Sequence, residues 1–223
     1  MHPVSPDRPS VAFRRVSITV SQATIFLVVT HVAGVIGYLL PTSRPLFQWV
    51  TPFHLLLTTA LLLCFHRDWR TSFVAFAIGT MLFGYGVEVV GVQTSAIFGA
   101  YAYDTTLGFK VLGVPLVIGL NWLLMTYLCG SVCHLLPVRR IYQTGLAALL
   151  MVVVDWLIEP VAIAYDFWHW QTPDPPLHNY LGWFGIALLM QLAFFYLPFS
   201  KKNLLALPLL SIQILFYISL QLL

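Results

Sequence analysis

Residues 19–40 read TVSQATIFLVVTHVAGVIGYLL, with no Asp, Glu, Lys or Arg among them and His31 the one side chain that can charge near neutrality. A spanning helix needs about 20 predominantly apolar residues. The run is too long for a signal-peptide core, so it is expected to be a retained first transmembrane helix. Working outward, six further apolar runs follow at 46–65, 71–91, 111–135, 141–158, 180–199 and 203–222. Short polar breaks separate most of them, at 41–45, 66–70, 137–140 and 200–203, while two connections, 92–110 and 159–179, are longer and rich in aromatic residues. Backbone in lipid must satisfy its own hydrogen bonds, which makes these runs helices. The expected fold class is all-α, a polytopic integral membrane bundle of about seven transmembrane helices. Residues 1–18 form an N-terminal segment and 19–223 a single seven-helix membrane domain.

Composition agrees with this reading. The chain has 223 residues, 59% hydrophobic and 9% charged, against about 25% charged in an ordinary soluble domain. Lys and Arg are scattered singly and in pairs with no basic stripe, so the net charge of +3 is no nucleic-acid signal. Cys64, Cys129 and Cys133 form no CxxC pair and suggest neither a disulfide framework nor a zinc site. With seven spans, Arg8, Arg14, Arg15, Arg67, Arg70, Arg139, Arg140, Lys201 and Lys202 fall on one side and only Arg44 and Lys110 on the other. The excess predicts a cytoplasmic N-terminus, in what is expected to be a prokaryotic cytoplasmic membrane.

The acids fall on the opposite side. Of eight, only Asp7 and Asp68 lie on the predicted cytoplasmic face; Glu88, Asp104, Asp155, Glu159, Asp166 and Asp174 sit in the two long loops or at the outer ends of spans three and five. Asp155 and Glu159 are i and i+4 and share one helix face. A charged group inside a span costs at least about 2.5–3.5 kcal/mol on insertion scales, so three carboxyls at one depth (Glu88, Asp155, Glu159) read as the candidate catalytic group. Capping of helix ends near the interface is the bland alternative for each one alone.

Burial disfavours a charged carboxyl, and a carboxylic acid kept protonated near neutrality can donate its proton. Around these acids stand Phe98, Tyr101, Tyr103, Trp156, Tyr165, Phe167, Trp168, Trp170, Tyr180 and Trp183, whose ring faces can stabilise a cation by about 2 kcal/mol or more when desolvated. Proton donor and rings together suit protonation of an alkene and capture or cyclisation of the carbocation. For any single ring, an interfacial aromatic belt explains it as well. Oxygen-dependent hydroxylation needs clustered histidines, whereas His2, His31, His54, His66, His134, His169 and His178 are dispersed. The last span holds no lysine for a retinal Schiff base, and no nucleotide-binding glycine motif is present.

Three groups of motifs then resemble the carotenoid 1,2-hydratase family, which includes bacterial γ-carotene and lycopene hydratases and archaeal bisanhydrobacterioruberin hydratases. They are Glu88-Val-Val-Gly-Val-Gln-Thr94; Phe98-Gly-Ala-Tyr101-Ala-Tyr103 with Leu107-Gly108 and Gly113-Val-Pro115; and Asp155-Trp-Leu-Ile-Glu159-Pro160, Trp168-His-Trp170 and Pro176-Leu-His-Asn179-Tyr180-Leu-Gly182-Trp183. The likeness covers roughly residues 84–190. Two stretches depart from the pattern, Ser95-Ala-Ile97 where a Gly-x-Pro is usual, and Ile118-Gly-Leu-Asn121-Trp122 in place of a more apolar run.

The resemblance implies cofactor-free addition of water across the terminal 1,2 double bond of an acyclic ψ end group, on a lycopene- or γ-carotene-type substrate. Asp155 is the preferred acid, delivering a proton to C2. Trp156 and its neighbours hold the tertiary cation at C1, and Glu88 or Glu159 positions the water. The expected substrate contacts are Phe98, Tyr101, Tyr103, Asn121, Trp122, Trp156, Trp168, Asn179 and Trp183, with no metal and no cofactor. An integral-membrane lycopene cyclase, or a carotenoid- or lipid-binding protein without chemistry, are the alternatives. Loops 92–110 and 159–179 are expected to fold over the acids and exclude bulk water.

Overall fold

The computed structural model describes residues 18–223; the N-terminal segment with Arg8, Arg14 and Arg15 lies outside the described residues. Seven helices follow in order: α1 Val20–Leu39, α2 Arg44–Cys64, α3 Thr71–Thr94, α4 Val117–Cys133, α5 Arg140–Ala164, α6 Leu177–Tyr196 and α7 Ala206–Leu222. Five of them (α1, α2, α3, α5 and α6) are long and apolar enough to cross a membrane, while α4 and α7 have 17 residues each. The all-α class is therefore observed, with short strands confined to the connections.

The bundle is built around α4. It packs against α2, α3, α5, α6 and α7, and every residue from Trp122 to Gly130 is buried. The outer helices do the reverse and turn large apolar residues outward: Ile25 is 63% exposed, Trp49 66% and Leu82 69%. An apolar exterior of that extent is rare on soluble monomers and suits a hydrocarbon surround. Close packing at α4 depends on small partners. A Cβ on Gly84 of α3 would lie 2.5 Å from the Trp122 ring, so only glycine lets that indole reach across.

Two boundaries differ from the hydropathy reading, each for a local reason. The fourth apolar run, 111–135, starts its helix only at Val117, because β2 (Lys110–Val111) and β3 (Val114–Pro115) form a hairpin. Its turn residues Leu112 and Gly113 both have positive φ, 51° and 84°, as a two-residue type I′ turn requires. The fifth run, 141–158, continues to Ala164 with Pro160 inside the helix. Neighbouring elements can re-satisfy the carbonyl that a proline frees in a membrane helix.

The two long connections pair with each other. β1 (Tyr101–Tyr103) lies antiparallel to β4 (Trp168–Trp170), with Tyr101 opposite Trp170, Ala102 opposite His169 and Tyr103 opposite Trp168. Flanking bonds from Asp104 N to Phe167 O and from Gln171 N to Ala100 O, 3.0 and 2.9 Å, extend the ribbon.

Candidate functional site

Side chains alternate across a strand, and directly opposed residues of an antiparallel pair share a face. Tyr-Ala-Tyr against Trp-His-Trp therefore puts four rings on one face of the ribbon and Ala102 with His169 on the other. Tyr101 stacks obliquely on Trp170 at 5.1 Å between centroids, and Tyr103 meets Trp168 at 6.0 Å. On the outer face His169 Nδ1 pairs with both Asp104 oxygens, at 2.9 and 3.0 Å.

The ring face covers the three carboxyls. Glu88 occupies the buried stripe of α3 with Gly84, Val87 and Gly91, the i, i+3, i+4, i+7 spacing of one helix face. Asp155 and Glu159 share the buried stripe of α5 with Val154, Ile158 and Ala162. All three are at most 3% exposed, and they line one chamber of about 30 Å³ together with Asn179 and Trp183 of α6. That volume holds a water molecule or two.

The donors are distributed unevenly. Glu88 Oε2 accepts from the Tyr101 hydroxyl in a short bond and from the Tyr103 hydroxyl at 2.8 Å, and Oε1 accepts from Trp122 Nε1 at 2.9 Å. Burial, and then the adjoining Glu88 carboxyl, push the Tyr101 and Tyr103 hydroxyls far above the usual phenol range. Both stay protonated and act as donors. Glu159 Oε2 accepts from Trp168 Nε1 and Trp170 Nε1, each at 3.0 Å. Asn179 Nδ2 reaches both Asp155 Oδ2 and Glu159 Oε1, at 3.4 Å each. Asp155 receives no other side-chain donor among the described residues and lines the chamber.

Most of the sequence-derived residues converge here. Phe98, Tyr101, Tyr103, Trp168, Asn179 and Trp183 line the chamber, and Trp122 joins through Glu88 while stacking on Trp183 at 4.0 Å. Two do not. Trp156 is 60% exposed on the lipid-facing side of α5, because a residue at i+1 is turned about 100° from Asp155; it cannot hold a cation in this chamber. Asn121 lines a different cavity. Trp170, which the sequence offers as one ring among many and as part of the Trp168-His-Trp170 motif but not as a site residue, ties β4 to Glu159; the ring-x-ring alternation in both loops was the signal for it.

The second cavity, of about 130 Å³, lies between α1, α2, α4, α5 and α7 and shares only Trp168 with the acid chamber. It is walled mainly by apolar and aromatic residues such as Tyr38, Phe47, Ile118, Ile158 and Phe216. His31 and His54 border it in mutual edge contact at 4.8 Å, with His31 Nδ1 bonded to Leu27 O and His54 Nε2 to Thr30 Oγ1, 2.8 and 3.2 Å.

A further contact fixes how the ribbon is seated. A Cβ on Gly182 of α6 would lie 2.3 Å from the Ile97 carbonyl oxygen. Gly182→Ala is expected to push loop 92–110 off α6 and destabilise the protein by about 1–3 kcal/mol. Faster limited proteolysis within 92–110 is the measurement; a cleavage rate equal to wild type would show that α6 does not seat the loop.

The family described as "carotenoid biosynthesis protein" matches residues 49–222, which takes in the whole ribbon and all three carboxyls. The chain belongs to the carotenoid biosynthesis protein family. It is also similar to a bisanhydrobacterioruberin hydratase of Haloarcula japonica, 32% identical over 129 residues that cover 51% of this chain and 42% of that protein. The match thus spans less than half the length of that relative. No solved structure matches. Membership accounts for a carotenoid-modifying role, and the long apolar helices for a membrane protein.

Proposed function

We propose that the chain is a cofactor-free hydratase that adds water across the terminal 1,2 double bond of an acyclic carotenoid end group. The observation that carries this reading is the uneven supply of donors to three carboxyls in one water-sized chamber. An ionised carboxylate only accepts hydrogen bonds, whereas a protonated one has an O–H to give. Glu88 and Glu159 each meet a set of N–H or O–H donors and are placed as acceptors. Asp155 is the member with an oxygen left to present a proton to the chamber.

In the mechanism, the Asp155 O–H protonates C2 of the terminal alkene, and the π electrons form the new C–H bond. Positive charge at C1 is tertiary, hence water adds there. A water held beside Glu159 attacks C1 and passes a proton to the carboxylate side of the chamber, which restores the Asp155 acid. Trp168, Trp170 and the two tyrosines supply ring faces to the cation. Glu88 is a positioning residue that anchors the tyrosines of the ribbon. A cavity of about 150 Å³ accommodates a benzene ring, so the neighbouring 130 Å³ space fits about one isoprene unit. The end group lies there, against the Trp168 indole that borders both spaces.

The same reading takes residues 19–223 as one seven-span membrane domain with a cytoplasmic N-terminus. Lys and Arg cluster at the α2–α3, α4–α5 and α6–α7 turns, and the carboxyls lie toward the other end. The test is expression in a lycopene-accumulating bacterial host with pigment analysis by liquid chromatography and mass spectrometry. Products heavier by one or two waters are expected. An isomer of unchanged mass would replace hydration with cyclisation, and pigment unchanged with both lycopene and γ-carotene would remove the reading.

A further inference from the structure

At the end of the bundle remote from the carboxyls, the α4–α5 and α6–α7 turns meet in a recess of about 410 Å³. Four basic side chains line it, His134 and Arg140 from one turn and Lys201 and Lys202 from the other, and no Asp or Glu does. Arg140 and Lys202 are exposed and make no ion pair among the described residues. The nearby carboxylate of Asp68 is already engaged, by Arg70 Nε and by Ser200 N, both at 2.7 Å. Lys201 is folded inward, its ammonium 3.0 Å from the centroid of the Phe199 ring and bonded to Leu197 O at 2.7 Å.

The basic groups of the recess crowd one another. Burial first, and then the Arg140 charge, pull the Lys201 amine down to about 7. Burial, and then Lys202, Lys201 and Arg140, lower the His134 imidazole as well. An anion in the recess would offset the Arg140 and Lys202 charges and favour the protonated forms of Lys201 and His134. The ligand it suits is also amphipathic, because the wall continues into exposed apolar surface. Tyr196 and Leu197 line the recess and are 55% and 37% exposed, with Leu135 and Tyr142 exposed alongside. Tyrosines that are half apolar and half polar gather where headgroups meet acyl chains.

We propose that this recess binds the phosphate headgroup of an anionic phospholipid, with the acyl chains lying along the exposed faces of α5 and α6. Basic pockets between helices at a membrane surface hold such headgroups by the same chemistry. The proposal rests on the membrane reading and not on hydration, so it stands or falls without any assay of pigment.

The experiment uses the whole chain purified in a neutral detergent and titrated with phosphatidylglycerol, phosphatidylcholine or inorganic phosphate, with lipid adducts counted by native mass spectrometry and Tm followed in parallel. Phosphatidylglycerol is expected to bind at least tenfold more tightly than phosphatidylcholine and to raise Tm. Arg140→Gln with Lys202→Gln is expected to remove that preference, while Arg67→Gln, an exposed cation outside the recess, leaves it. Equal binding of the two lipids would overturn the proposal, as would a double variant that keeps the preference or an Arg67→Gln variant that loses it equally. Protection by inorganic phosphate alone, matching that by the lipid, would make the recess a phosphate site and overturn the lipid assignment.

Discussion

Asp155→Asn is expected to lower turnover by about 100-fold or more, the contribution typical of a positioned general acid, while leaving the protein folded. The substitution is nearly isosteric, and Asp155 has only one long bond to lose, to Asn179. Tm should therefore move little. Turnover is measured on membranes of equal protein content, supplied with carotenoid in deuterated water. The variant should neither hydrate its substrate nor wash deuterium into the recovered alkene, because both require the first proton. Activity within about threefold of wild type would take the acid role away from Asp155 and pass it to Glu159.

Glu88→Gln is expected to produce the opposite profile, with the larger loss in stability. Three donors converge on this carboxylate, and an amide can present only one oxygen to them. At least one buried O–H or N–H is left without an acceptor, and hydrogen bonds to a charged group are worth about 1.5–3 kcal/mol each. A loss of roughly 1–3 kcal/mol follows for each buried donor left unsatisfied. The checks are thermal unfolding and protease sensitivity of loops 92–110 and 159–179. Residual turnover should fall because the ribbon loosens. Tyr101→Phe combined with Tyr103→Phe should reproduce part of the effect. A Glu88→Gln protein as stable as wild type but without turnover would move Glu88 from anchoring into the chemistry itself.

How much of this was legible in the sequence depended on the kind of signal. The helices announced themselves through long runs without charge, and Asp155 and Glu159 through their i, i+4 spacing. The hairpin at 110–115 was hidden inside an apolar run because Leu112 carries its positive φ on a hydrophobic side chain. Trp156 misled because chain proximity to Asp155 says nothing of direction around a helix, and the lipid side of α5 is as greedy for indoles as a cation pocket. Asn121 sits one residue before Trp122, yet the same rotation sends it to the other cavity. The alternation Tyr-Ala-Tyr and Trp-His-Trp did encode the ring face, but only the pairing of two segments 67 positions apart in register gives that alternation a common side.

That pairing also imposes an order of events on biosynthesis. The chamber draws on residues from Glu88 to Trp183, and β4 follows two complete helices after β1. When α3 first leaves the ribosome, the Tyr101, Tyr103 and Trp122 donors to Glu88 are still to come, and the partners of Glu159 arrive later still. The acidic positions of α3 and α5 are thus provisional guests of the bilayer until α6 packs and the ribbon zips. A chain stalled before that point carries carboxyls whose hydrogen-bond donors have yet to be made.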